Sequence, residues 1–190
     1  MLRILTALIL VAQTPAFAES LSVDTKASSV EWVGAKVTGS HTGQVPVTEG
    51  SIEVDKGAIQ KAKVTVDLSK MTNKDLTGEY HTKLLNHLKS DDFFAVSKHP
   101  TANIVINSAK KLSGKQYQFT GDLTIKGVTK PVSFKGDVTD ANGTLKVNGN
   151  LSFDRTAYGI KYNSGKFFQS LGDKLINDEV KLTFTMVAKK

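Results

Sequence analysis

The chain contains no cysteine, which removes disulfides, zinc ribbons, iron–sulfur clusters and thiol nucleophiles together and leaves His, Asp, Glu, Ser and Lys to carry any chemistry. Arginine is nearly missing too: of 25 basic residues only Arg3 and Arg155 are arginines. The lysines are scattered, with no basic block of about five or more. A net charge of +7 therefore reads as a solvated face rather than a nucleic-acid footprint, because base readout and phosphate forks lean on arginine. Lys70, Lys74, Lys83 and Lys89 leave open an attraction to anionic headgroups, and with it a transient contact with a membrane surface. There is no G-x-S-x-G, no Walker A and no strand-to-helix G-x-G-x-x-G, so three common catalytic or nucleotide signatures are absent. No repeat, low-complexity tract or interdomain linker is visible. With 190 residues, 39% hydrophobic and 23% charged, the chain reads as one folded unit rather than a disordered or multispanning protein.

No apolar run is long enough to span a bilayer. Residues 1–18 carry Arg3, an apolar run from Ile4 to Val11 broken by Thr6, then Pro15 and the small-residue box Ala16-Phe17-Ala18. That pattern predicts a secretory signal peptide cleaved before Glu19, with 19–190 as a single domain in a periplasm or outside the cell. Without cysteine, no lipid anchor forms at the cleavage site. Arg155 is then the sole arginine of the mature chain.

Period-two alternation dominates from residue 29 onward. Tyr117, Phe119, Gly121, Leu123 and Ile125 share one face while Gln116, Gln118, Thr120, Asp122 and Thr124 share the other. Val132, Phe134, Gly136 and Val138 repeat the pattern after a turn at 126–130, with Pro131 at the strand start. Asp140-Ala141-Asn142-Gly143 turns the chain into Val147, Gly149, Leu151 and Phe153, and the last strand offers Val180, Leu182, Phe184 and Met186. Earlier strands are read at 29–38, 43–56, 58–69 and 101–110. Eight such strands with short turns predict an all-β fold, a closed eight-stranded antiparallel barrel, with a β-sandwich as the alternative. One short helix is expected over 78–89, capped by Thr77, with Tyr80, Leu84 and Leu88 on one face. The stretch from Arg155 to Asn177 is too long for a hairpin loop and reads as a lid.

Metal and acid–base chemistry find little support. His81 and His87 are six residues apart, which turns a helix by about 240° and sends the rings to different faces. No metal or cofactor is expected. Asp91 and Asp92 read as helix-end residues, and His99 before Pro100 as a surface residue. His41, flanked by Gly39 and Gly43, is either a hydrogen-bonded turn residue or a ligand contact.

The apolar phase of a soluble barrel lies inside, where an eight-stranded wall either packs solid or holds one slender guest. Trp32, Phe119, Leu123, Phe134, Leu151, Phe153, Phe184 and Met186 are the expected lining. Gly121, Gly136 and Gly149 fall in the same inward phase, where they either leave room in the lumen or kink coiled strands at barrel corners. A lumen so lined suits a hydrocarbon tail. At its mouth, His41, Phe93, Phe94, Arg155, Tyr158 and Ile160 are the candidates, with Arg155 and Tyr158 the natural partners of a polar head. The competing reading pairs Arg155 with Asp154 or another surface acid.

Five motifs together resemble the YceI family of secreted lipocalin-like proteins over nearly all of 19–190. They are Gly39-Ser40-His41-Thr42-Gly43 after the Trp32 strand; His87-Leu88-Lys89-Ser90-Asp91-Asp92-Phe93-Phe94 with Lys98-His99-Pro100; Leu123 through Val132; Arg155-Thr156-Ala157-Tyr158-Gly159-Ile160; and Asp178-Glu179-Val180-Lys181-Leu182. The resemblance implies an eight-stranded barrel that binds a polyisoprenoid or similar long amphipathic lipid, with isoprenoid quinones among the candidates and no enzymatic step established for the family as a whole. The chain departs from the family at Ala157, where an acid is common, at Ala95 and Ser97, where Asp and Glu are, and at His99, where Tyr is. The expectation is a carrier or storage protein. Its rivals are a hydrolase of isoprenoid esters or pyrophosphates with His41 or an Asp as base, and a filled-barrel stress or interaction protein. Oligomeric state stays open, a homodimer included.

Overall fold

The alternating stretches fold as eleven strands, β1 (Glu19–Val23), β2 (Ser29–Lys36), β3 (Gly39–Val45), β4 (Val47–Asp55), β5 (Ala58–Asp67), β6 (Thr72–Asn73), β7 (Thr101–Lys111), β8 (Gln116–Ile125), β9 (Val128–Ala141), β10 (Thr144–Asp154) and β11 (Ile176–Lys189). Among the described residues one α-helix, α1 (Gly78–Lys89), lies between β6 and β7. The structure is a computed structural model that describes residues 19–190; the expected signal peptide, 1–18, lies outside the described residues.

All strands join one antiparallel sheet in the order β1-β4-β5-β7-β8-β9-β10-β11-β2-β3-β6, and β1 also pairs with β11. That last pairing, Ser22 with Lys189 and Val23 with Ala188, closes the ring. Two positions in the ring are shared. Both β1 and β2 lie along β11, and β3 runs into β4 through Pro46, which has no N–H to give a ladder. With β6 a two-residue appendage on β3, the wall has eight staves. The expected barrel is therefore present.

Why the wall curves inward follows from its chemistry. Leu21, Val30, Trp32, Ile52, Ile106, Phe119, Leu123, Val147, Leu151 and Met186 are buried, while the alternate positions of β8 to β11 are mostly Thr, Lys, Ser, Asp, Asn and Gln. The barrel is thus apolar inside and polar outside, the reverse of a barrel that faces lipid. No helix among the described residues is long and apolar enough to cross a membrane.

Several local expectations need correction. The β8–β9 connection is a two-residue turn, Lys126 (φ 52°) and Gly127 (φ 74°), not a five-residue one. Two consecutive positive φ values match the right-handed twist of a hairpin. Pro131 consequently sits within β9 opposite Asp122, in the half of β9 that β10 does not reach. β1 lay outside the predicted strands, and β3 begins at Gly39, so His41 is a strand residue rather than a turn residue. In α1 Leu84, Leu85 and Leu88 pack on the core, but Tyr80 is 72% exposed, and Thr77 makes no side-chain cap bond.

Candidate functional site

The inward phases of the strands enclose a cavity of about 390 Å³, inside the span of roughly 300–1,000 Å³ common to small-molecule sites. Trp32, Phe119, Leu123, Phe134, Leu151, Phe153, Phe184 and Met186 all line it. Aromatic contacts order part of this wall: Phe119 stacks on Phe134 at 5.3 Å and Phe134 meets Phe184 edge-on at 5.5 Å, arrangements that add to simple area burial. The indole of Trp32 lies over Gly43, directly across the β2–β3 pair. Its buried Nε1 has no acceptor among the described residues.

The three inward glycines behave differently from one of the two readings offered for them. Gly121, Gly136 and Gly149 do not line the cavity. A Cβ on Gly121 would meet the Val105 carbonyl oxygen at 2.1 Å, one on Gly136 the Asn148 oxygen at 2.9 Å, and one on Gly149 the Phe184 ring at 2.6 Å. These positions let neighbouring strands and rings close in, which is the barrel-corner role, and they leave no room for a guest. The glycine that does open the lumen is Gly34, which lines the cavity and whose Cβ would meet nothing within 4 Å. Its signal was available: it follows Val30 and Trp32 in the inward phase.

The mouth lies where β10 ends, β11 begins and β2 turns to β3. Leu84 and Leu88 of α1, Phe93 and Phe94 from the following turn, and Ile160 from the long loop all reach the cavity. His87 binds these pieces together, edge-on to Phe93 at 4.9 Å and to Tyr162 at 4.6 Å. The loop's first half is a plug rather than a free lid, with Tyr158 2% and Ile160 and Ser164 0% exposed. Its tip presents Phe167 and Phe168, each about half exposed.

Arg155 is not available to a ligand head. Its Nε donates to Asn177 O, Nη1 to Ile160 O and Tyr162 O, and Nη2 to Ile176 O, all at 2.9–3.0 Å. Nη2 also lies 3.3 Å from Asp178 Oδ1, close enough for attraction but off the hydrogen-bond direction. The guanidinium is 2% exposed; burial pulls its pKa below the ordinary arginine value while Asp178 and Asp154 oppose that shift. Four of its five donors are thereby committed to sewing the long loop to β11. The pairing acid is the largely buried Asp178, not Asp154, whose side chain instead accepts from Thr156 and pairs with Lys166. Tyr158 is likewise structural: it packs edge-on against Phe153 at 5.5 Å, lies off the cavity wall, and has its hydroxyl pKa raised by burial. Three of the four surface lysines are paired, Lys70 with Asp67, Lys74 with Glu31 and Lys83 with Glu79.

His41 does reach the cavity. Its Nδ1 lies 2.6 Å from Asp75 Oδ2, while Asp75 Oδ1 accepts from Thr42 N at 2.8 Å and Asn73 Nδ2 at 2.6 Å. Burial works to raise the Asp75 pKa, but these donors outweigh it and hold the carboxyl below its ordinary value. Asp75 is a residue that sequence reasoning missed, because 34 positions separate it from His41 and only the β3–β6 pairing joins them.

A closed barrel with a polar exterior, an apolar bore and an entrance built from a helix and a loop defines a lipocalin-like binding fold. The wall motifs carry a more specific assignment. The chain belongs to the YceI-like domain family, whose pattern it matches over residues 21–188. It is 31% identical over 151 residues to a UPF0312 protein of Pseudomonas syringae pv. tomato, covering 75% of this chain and 71% of that one. A UPF0312 protein of Shewanella denitrificans is 31% identical over 123 residues, 62% of each chain. Among solved structures, Burkholderia cenocepacia BcnA superposes with a TM-score of 0.72 at 24% identity, over 88% of this chain and 99% of that one. A domain from Saccharophagus degradans, described as polyisoprenoid binding and implicated in plant cell wall breakdown, gives 0.68 at 16% identity over 89% and 97%. At those identities the two structures establish the fold.

Proposed function

We propose that this protein binds a polyisoprenoid, or another long-chain amphipathic lipid such as an isoprenoid quinone, inside the barrel, and acts outside the cytoplasm as a carrier or store rather than as an enzyme. One observation carries the reading: a cavity of about 390 Å³ with an apolar wall and a mouth at one end. Burying hydrocarbon contributes roughly 0.8 kcal/mol per CH₂ before ordering costs, so a few isoprene units contribute more than about 10 kcal/mol gross. The tail sets affinity. The Saccharophagus domain, described as polyisoprenoid binding, supports the same ligand class. Hydrolysis has one feature in its favour, the His41–Asp75 pair, but among the described residues no hydroxyl is hydrogen-bonded to the other ring nitrogen to serve as nucleophile.

Native mass spectrometry of the protein purified from its own cell envelope tests the proposal. A co-purifying lipid, or uptake of added prenyl chains, is the expected result; neither one appearing overturns it.

A further inference from the structure

The tail-binding proposal leaves the head unassigned, and the mouth contains a polar acceptor placed to select it. Asp75 is fixed from three sides, by the Thr42 amide at 2.8 Å, the Asn73 amide group at 2.6 Å and His41 Nδ1 at 2.6 Å. Asn73 is itself 8% exposed and accepts from Leu76 N at 2.8 Å. The two-residue strand β6 thus brings a carboxylate behind one histidine. An ionised carboxylate only accepts, so Nδ1 carries the hydrogen, and in the neutral ring Nε2 keeps its lone pair. Among the described residues Nε2 has no hydrogen-bond partner, and the ring lines the cavity.

Of the other polar residues at the wall, Trp32 offers only a donor, its buried Nε1, Lys36 and Asn177 are exposed at the rim, and Arg155, His87 and Asn103 are occupied or turned away. Four Arg155 donors are directed at backbone carbonyls, and the guanidinium is buried beside Asp178. His87 is held between Phe93 and Tyr162 with Nε2 3.3 Å from Asp92. Asn103 belongs to the outward phase of β7, between the buried Ala102 and the inward Ile104.

We infer that His41, oriented by Asp75, accepts a hydrogen bond from the head of the bound lipid, so that the site selects a neutral hydroxyl-bearing head, an alcohol or a phenol, over an ether or a diphosphate. A diphosphate is held best by an arginine fork, and the one arginine of the described residues is spent, which leaves the exposed Lys36 as a single point charge at the cavity. The negative charge of Asp75 behind the ring disfavours a polyanion further.

This inference rests on the tail-binding proposal, and the test separates the two. Geranylgeraniol, its methyl ether and its diphosphate share one tail and are titrated against the wild-type protein, His41→Phe and Asp75→Asn. The alcohol is expected to bind wild type about threefold to tenfold more tightly than the ether, the range of one net hydrogen bond. In His41→Phe that ratio falls to about one while ether binding persists. Asp75→Asn, which removes the positioning carboxylate, also lowers the ratio. Because the ratio compares two ligands on one protein, a loss of stability leaves it unmoved. Equal binding of alcohol and ether by wild type, a ratio unchanged in His41→Phe, or a diphosphate that outcompetes the alcohol overturns the head-group assignment alone. Failure of all three ligands to bind overturns the tail-binding proposal as well.

Discussion

Replacing Gly34 by tryptophan should close the lumen without harming the barrel. Gly34 lines the cavity, its φ is ordinary for a strand, and the first atom of a new side chain meets nothing within 4 Å. A tryptophan side chain adds about ten heavy atoms, which displace a comparable number of ligand carbons worth roughly 8 kcal/mol gross at about 0.8 kcal/mol each. If half of that is recovered by the tail shifting deeper, about 4 kcal/mol is lost, close to a thousandfold in affinity. Stability moves the other way, because removing a strand glycine is worth about 0.5–1 kcal/mol and the indole covers apolar wall. The assay is isothermal titration with a prenyl alcohol beside thermal unfolding of the same sample. Undiminished affinity in Gly34→Trp refutes the reasoning, as does a large fall in melting temperature, since either means that position 34 does not face open lumen.

Other substitutions probe the wall and its seam. Gly121→Ala places a Cβ 2.1 Å from the Val105 oxygen and should cost about 1–3 kcal/mol, at about 2–4 °C of melting temperature per kcal/mol. For Arg155→Met, four carbonyls lose their donor and Asp178 keeps only the more distant Lys166, so chemical denaturation should show a loss of about 3–5 kcal/mol. Phe134→Glu sets a carboxylate among Phe119 and Phe184 and should abolish lipid uptake, whereas Lys83→Ala, on an exposed helix face, should change neither uptake nor stability. Acid should destabilise the fold with a definite sign. Asp75 is held below its ordinary pKa, burial being outweighed by Thr42, His41 and Asn73. Its contribution is therefore present above the unfolded value of about 3.9 and lost as pH falls through the lower folded value. Urea midpoints followed downward from neutral pH should decline mainly below about pH 4, less steeply in Asp75→Asn.

Most of the barrel could be read from alternation alone, because a half-buried strand writes its burial into every second residue. Trp32, Phe119, Phe134, Leu151 and Phe184 were placed on the cavity wall by that rule, and they lie there. What alternation does not encode is distance across the wall. Gly121 and Gly34 occupy equivalent phases, yet one faces a backbone oxygen at 2.1 Å and the other open space, a difference set by how the neighbouring strands coil. The loop from Arg155 to Asn177 misled for a related reason: its length suggested a lid, but the arginine at its start binds carbonyls as far away as Asn177. A charged residue near a mouth looks the same in sequence whether it greets a ligand or ties down a loop. The Asp75 partner of His41 depends on a two-residue strand, too short to leave a periodic signature.

The chain's single tryptophan lines the bore, so its fluorescence reports directly on what enters. Titrating prenyl alcohols of increasing length should give a saturable change in Trp32 emission, with affinity rising at each added isoprene unit until the cavity is full and constant thereafter. Emission that never saturates, or an affinity indifferent to chain length, would contradict an interior built to take a hydrocarbon tail.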